Sequence, residues 1–440
     1  MANDLINKKP STQAKPALEL YFKNVPAIAH IDFGRRMSNV QYSCMLNGGY
    51  IVRVDLFDPF FNVIGRLVGE GYLKTSRNEP LIIRFRLKAS PDGGEFPRAG
   101  TSEQIAYVTK VHTYGTHADI SNSVFTAVDP ASYMLNKGAG SGKSYQGKVS
   151  SVIKQVVNEY APEIQLEISE TIDSDKNRFW MMRQDPQTFI NSLLEWSSPL
   201  VKNKTQWIVA SDGYNLHIKE QADIRSRERA YYTFYAGPSA NDTILGWDLL
   251  ADNTLTVSQA QLISQGLSAV SGAYYDRITD EKDQRLIIKD ETTDKKIIAA
   301  TTAEQSFTKP GANSKFLGVS SIPSIPEIYS AGELGIGYDD YISGRARDIW
   351  LNLTRRLLRC RLKVIGHGEW SNGLGLGCDT VKLLWMAAGG SGHPSDTEYF
   401  MSGNWLVYGF EHELQTKHWY TYLHLARFDW NATADTFPKK

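Results

Sequence analysis

Leu81-Ile82-Ile83-Arg84-Phe85-Arg86-Leu87-Lys88 puts Leu81, Ile83, Phe85 and Leu87 on one face of the chain and Arg84, Arg86 and Lys88 on the other. A repeat of two is the period of a β-strand with one buried and one polar face. Residues 50–57 (YIVRVDLF) and 105–114 (IAYVTKVHTY) repeat it. Gly48-Gly49, Asp58-Pro59, Asn78-Glu79-Pro80 and the run from Ser90 to Gly94 break the chain between these segments. Strands separated by such turn residues predict a small barrel or sandwich over 17–135. The preceding residues, 1–16, are rich in Lys, Pro, Ser and Asn and are expected to form a flexible arm.

Downstream the period changes. Val149, Val152, Ile153, Val156, Val157 and Tyr160 recur at helical spacing, and Pro162 closes the run. Asp185-Pro186 opens a second helix, because Asp can cap free N–H groups and Pro suits the first helical turn. Phe189, Leu193 and Trp196 line its apolar side. Residues 207–210 and 215–219 flank Ser211-Asp212-Gly213-Tyr214, which predicts a hairpin. Residues 136–224 therefore read as an α+β unit.

Strand-like sequence returns over 225–290, for example Arg285-Leu-Ile-Ile-Lys289. A mixed insert follows at 291–342, with an extended Ile322-Pro-Ser-Ile-Pro326 segment. An amphipathic helix is expected at 342–359, with Ile342, Ala346, Ile349, Leu353 and Leu357 as its stripe. Its other faces carry Arg345, Arg347, Arg355, Arg356 and Arg359. Residues 373–385 read as a turn and a strand, and 405–414 with 419–428 as an antiparallel pair. The second strand-rich unit is thus 225–290 plus 343–432, with a short tail at 433–440.

Composition narrows the function. The 48 basic and 48 acidic residues cancel, which argues against nucleic acid or an anionic membrane as a partner. No apolar run reaches the roughly 20 residues that span a bilayer, and the first residues lack the apolar core of a secretion signal. Cys44, Cys360 and Cys378 are scattered, so neither a disulfide framework nor a zinc site is expected.

Three stretches invite a chemical reading. Gly138-Ala-Gly-Ser-Gly142-Lys143-Ser144 is one residue short of a phosphate-binding loop, and the following helix starts too late to face a phosphate. Glu411-His412-Glu413 has Thr416 where a zinc helix needs its second His, and His412, His418 and His424 straddle a turn. Glu411, Glu413, Asp339 and Asp340 are the carboxylates available for a two-carboxylate glycan hydrolase. Cys378 lacks a His partner for nucleophilic chemistry. No catalytic, cofactor-binding or metal-binding residue is assigned, and no cofactor is expected. A glycan hydrolase on these carboxylates, or a carbohydrate- or receptor-binding module using the many aromatics, remain the alternatives to a structural role.

The order of units resembles the baseplate hub proteins of contractile-tailed bacteriophages and the hub portion of type VI secretion spikes. The residues that carry it are the helix 149–160 followed by Phe179-Trp-Met-Met-Arg183-Gln184-Asp-Pro-Gln-Thr-Phe189-Ile190, and the closing 405–414 and 419–427 hairpin. Val364-Ile-Gly-His-Gly368 and Gly377-Cys-Asp-Thr-Val-Lys382 look like the entry to that hairpin. The resemblance spans about residues 30–430 of the chain. It implies an α+β, β-rich fold with two small tube-like β-barrel domains bracketing an α+β insert. It implies a homotrimer in the virion baseplate, assembled in the host cytoplasm, whose ring has pseudo-six-fold symmetry. The partners it implies are the tail tube protein, the central spike protein and other baseplate proteins.

Overall fold

The computed structural model describes residues 17–23, 25, 36–73, 81–88, 103–117, 119–137, 142–171, 173, 175–197, 207–220, 232–236, 244–251, 269–276, 281–288, 358–366, 373–377, 379–386, 397–415 and 419–427. The arm 1–16, the insert 291–342 and the tail 433–440 lie outside them.

The chain opens with β1 (Ala17–Lys23), β2 (Met37–Met45) and β3 (Tyr50–Phe57). After a helical turn, α1 (Asn62–Gly69), come β4 (Ile82–Lys88), β5 (Glu103–His117) and β6 (Ile120–Val128). The alternation read from the sequence is realised: Tyr50, Val52, Val54 and Leu56 are buried, while Ile51 and Arg53 between them are exposed. Leu81 and Ile83 are likewise buried.

Three Asp-Pro pairs begin helices. Asp58 holds the start of α1, its carboxylate accepting from Val63 N–H (2.7 Å), Ile64 N–H (3.0 Å) and the Ser123 hydroxyl (2.8 Å). Asp129 caps α2 (Pro130–Asn136), accepting from Ser132 N–H at 2.9 Å. Asp185 does the same farther on, for Thr188 N–H at 2.7 Å. In the sequence alone, Asp58-Pro59 and Asp129-Pro130 look only like breaks in the strand pattern. In both, proline fits the first turn, where its missing N–H is no loss, and aspartate satisfies a donor the helix cannot.

The α+β unit follows α2: β7 (Lys143–Gln146), α3 (Val149–Tyr160), β8 (Gln165–Ile168), β9 (Arg178–Met181), α4 (Pro186–Trp196), β10 (Trp207–Asp212) and β11 (Asn215–Glu220). The expected apolar stripe of α3 is buried at Val149, Val152, Ile153, Val156 and Val157. β10 and β11 form the expected hairpin, with Asp212 opposite Asn215. Gly213, the first turn residue, has φ +60, a conformation that glycine adopts without steric cost. β8 joins β11 in parallel.

The C-terminal half contributes β12 (Tyr232–Ala236), β13 (Ile244–Ala251), β14 (Ala269–Asp276), β15 (Glu281–Ile288), β16 (Leu358–Ile365), β17 (Thr380–Met386), β18 (Thr397–Gln415) and β19 (Trp419–Arg427). The helix expected at 342–359 falls outside the described residues up to 357. Its last two residues, Leu358 and Arg359, belong instead to β16, whose Cys360, Leu362 and Val364 are buried between more exposed Arg361 and Lys363. A period of two governs there.

Both strand-rich halves enter one 12-stranded sheet, ordered β1-β4-β5-β6-β3-β2-β18-β19-β16-β13, with β12 and β17 continuing from β18. The fold is thus α+β and β-rich, and the strand path does not close on itself among the described residues. One apolar cluster under this sheet mixes residues of both halves, among them Tyr42, Val54, Ile83, Leu362, Trp405 and Phe410. A second cluster lies within the α+β unit.

Candidate functional site

The position where the two halves meet is a strand pair. β2 and β18 run antiparallel in a continuous register, from Asn39 opposite Gln415 to Met45 opposite Gly409. The buried side of this seam is aromatic. Tyr42 lies against Tyr50, Phe410 and His412 at ring separations of 5.3, 5.7 and 6.0 Å. His412 is fully buried, and its Nδ1 accepts from the Trp419 indole at 3.3 Å and meets the Thr421 hydroxyl at 2.9 Å. An indole N–H can only donate, so Nδ1 is the acceptor in that contact. Trp419 in turn lies flat on Gly366, where a Cβ would stand 2.3 Å from the ring.

The opposite face of the seam is polar. Glu411 accepts from Arg361 at 3.0 Å, and Glu413 accepts from the Tyr422 hydroxyl at 2.8 Å and from Gln415 at 2.9 Å. Arg361 and Lys363 also lie over the rings of Tyr422 and Tyr420, at 4.2 and 4.0 Å. The Glu411-His412-Glu413 triplet is therefore split by the pleat, its acids outside and its imidazole inside. His424 occurs on the same face as Arg361; burial and that guanidinium hold its ring down at about 4. His412 and His424 thus face opposite sides. His418, Cys378, Asp339 and Asp340 lie outside the described residues, as do Gly138–Ser141. Lys143, at the end of that glycine run, is engaged by Glu159 at 2.6 Å. Cys44 and Cys360 are buried, which pushes both thiols up to about 12 and makes them poor nucleophiles.

The α+β unit is tied to the sheet through polar contacts. Val209 N–H donates to Asn47 at 3.0 Å, Tyr107 and Tyr214 share a 3.1 Å hydroxyl contact, and Gln104 reaches Asp212 at 3.4 Å. Asp129 sits at this joint, tight against Gly49, where a Cβ would stand 1.7 Å from its Oδ2. Burial raises the Asp129 carboxyl above the usual range, against the lowering effect of Ser132 and Ser211. The folded state therefore holds this proton more tightly than the unfolded chain does. Its contribution to stability is full below the ordinary aspartate value of about 3.9 and is lost as pH rises through the raised value. Asp129→Asn keeps the capping oxygen but cannot ionise. Its unfolding free energy, measured by urea denaturation, is expected to improve relative to the parent as pH rises from 4, with a flat difference counting against the assignment.

The sheet also leaves ends. Among the described residues β1 pairs only with β4 and β13 only with β16, so each terminates the path. β13 is an apolar end: Leu245, Trp247 and Leu250 are 46, 56 and 51% exposed. An end strand of this kind is a template for pairing with another chain unless something covers it. Composition and spacing did not single it out, because an edge differs from an inner strand only in its missing neighbour.

The solved structures to which this chain is similar are tail proteins and a type VI secretion component. The tail protein from Neisseria meningitidis matches with a TM-score of 0.51 at 9% identity, over 90% of this chain and 94% of that one. That likeness shows the fold. The 43 kDa tail protein of prophage MuSo2 from Shewanella oneidensis matches at 0.47 and 11% identity, over 90% of this chain and 95% of that one. An E. coli component of the type VI secretion system matches at 0.47 and 8% identity, over 93% of this chain and 77% of that one. No protein-family model matches the sequence, and no curated protein matches it.

Among the described residues no helix is long and apolar enough to cross a membrane.

Proposed function

We propose that the protein is the structural hub of a phage-type tail baseplate, and not an enzyme. Three copies form a ring with pseudo-six-fold symmetry, which adapts a hexameric tail tube to a three-fold central spike. Each chain supplies two tube-like β domains, 17–135 and 225–290 with 343–432. The unit 136–224 sits between them, and the 291–342 insert is available to the spike or a peripheral baseplate protein. The ring is assembled in the host cytoplasm and works in the virion.

The observation that carries this reading is the shared sheet, in which β1, β12 and β13 each pair with a single strand among the described residues. β2 and β18 already join two strand-rich halves edge to edge within one chain. The same kind of join between β13 of one copy and the edge of the next extends the sheet around a ring and covers Trp247 and Leu250. The tail-protein fold supports the reading, and the pairing of Glu411 with Arg361 speaks against a hydrolase built on that carboxylate.

Light scattering is expected to give a mass near three times 49.3 kDa, and negative stain a ring. Trp247→Arg places a charge on the exposed end strand; it is expected to yield smaller species with unchanged circular dichroism. A monomer that cleaves glycans, and stops doing so as Glu411→Gln or Glu413→Gln, overturns the hub in favour of a hydrolase. Strong hits on a glycan array favour a binding module.

A further inference from the structure

The first turn of α3 is satisfied from a distant loop. Lys148, its cap residue, makes no side-chain capping bond. Instead Val149 N–H donates to Asp173 Oδ2 at 2.7 Å, and Ser150 N–H to Thr171 Oγ1 at 3.2 Å. Asn177 fastens the same loop: its Nδ2 donates to Asp173 Oδ2 at 3.2 Å, and its carbonyl accepts from Gly147 N–H at 3.0 Å.

These bonds use only part of the two side chains. Asp173 is 1% exposed and Asn177 3% exposed, yet among the described residues Asp173 Oδ1 and Asn177 Oδ1 have no hydrogen-bond partner. The two side chains are bonded to each other, so both remaining oxygens lie in the same loop. Both are acceptors. A buried acceptor pair calls for a donor or a cation, since burial has removed water from it.

The sequence offers an independent pointer. Asp173-Ser-Asp175-Lys-Asn177 has the Asp-x-Asp-x-Asn spacing by which calcium loops gather side-chain oxygens from alternate positions. Arg178 replaces the glycine of the full helix-loop-helix pattern, and the loop runs into β9 instead of a helix. The ligand set is then three side chains completed by carbonyls and water. Asp175, two residues on from Asp173, is 82% exposed, with the Lys148 ammonium 4.0 Å away. That ammonium is the group an ion would displace.

We propose that the 173–177 loop is a calcium site, with Asp173 and Asn177 as buried ligands and Asp175 closing over the ion. All three donors are oxygens, which excludes soft metals. An irregular loop set suits the flexible sphere of calcium, with its six to eight ligands, better than the strict octahedron of magnesium.

The test uses the full chain after dialysis against EDTA. Calorimetry with calcium chloride is expected to show one site per chain, with a dissociation constant of roughly 10⁻⁵ to 10⁻³ M and much weaker magnesium binding. Terbium luminescence excited through Trp180 is expected to appear on binding and be displaced by calcium. Asp175→Ala removes a ligand whose contact in the ion-free fold is an exposed 4.0 Å pair with Lys148, so it is expected to weaken binding at least tenfold while leaving the ion-free Tm nearly unchanged. Asp173→Asn is expected to abolish binding and lower the Tm. Three results each overturn the site: no heat and no Tm shift at millimolar calcium, magnesium binding as tight as calcium, or undiminished affinity in Asp175→Ala.

Discussion

Phe410→Ala is expected to lower the unfolding free energy by about 3–5 kcal/mol, the range for removing a fully buried aromatic ring. Phe410 is fully buried at the seam, opposite Cys44 of β2 and Leu423 of β19. Its ring packs 5.7 Å from Tyr42 and 5.1 Å from His412. The neighbours are themselves pinned: Tyr42 by the strand register, His412 by Trp419 and Thr421. They cannot collapse into the space, so the cavity term adds to the lost transfer term. Urea denaturation followed by fluorescence measures the loss. A loss below about 1 kcal/mol, the size of an ordinary surface change, contradicts the description of the seam as a packed core.

Asp58→Ala is the second large effect, expected at about 3–4 kcal/mol, because the substitution strands three donors, each orphan costing about 1–3 kcal/mol when buried. The carboxylate bonds Val63, Ile64 and Ser123, and the Asp58 main chain is also held, its N–H by the Ser121 carbonyl and its carbonyl by the Ser121 hydroxyl. This net stabilises Phe60 and Phe61 at φ 56 and 54, a left-handed conformation that disfavours non-glycine residues by roughly 1–2 kcal/mol each. When the net is cut the two phenylalanines relax, which offsets part of the loss. Hydrogen exchange at the Val63 and Ile64 amides is expected to rise sharply, while Phe410→Ala leaves these amides slower to exchange than Asp58→Ala does. Asp58→Asn keeps one acceptor oxygen and is expected to fall between the parent and Asp58→Ala.

The legibility of the fold followed the range of the interactions. Strands with alternating burial, the α3 stripe, the Asp185-Pro186 helix and the 213 turn were plain, because each signal lies within a dozen residues. Asp58-Pro59 and Asp129-Pro130 carried the same chemistry as Asp185-Pro186. The helices they open, α1 and α2, are too short to show a periodic stripe, so in the sequence alone both pairs look only like breaks. The seam was not legible at all. The strand signal of β18 says that it pairs, and nothing local says that its partner is β2, near the other end of the chain. The same holds for the loop at Asp173, whose bonds to α3 depend on a tertiary contact. At Glu411-His412-Glu413 the sequence set out the right residues, and the pleat decided which of them face each other.

The β2–β18 seam also orders events in time. β2 emerges from the ribosome well before β18, the strand that covers its open side. Until β18 is made, the side of β2 that will meet it has no native neighbour, and a bare strand edge is a site for pairing with the wrong chain. A contact of such wide sequence separation also forms late, since the intervening loop must be closed before the pairing gives any return. Slow maturation, with a need for protection until the C-terminal strands arrive, is therefore built into this topology.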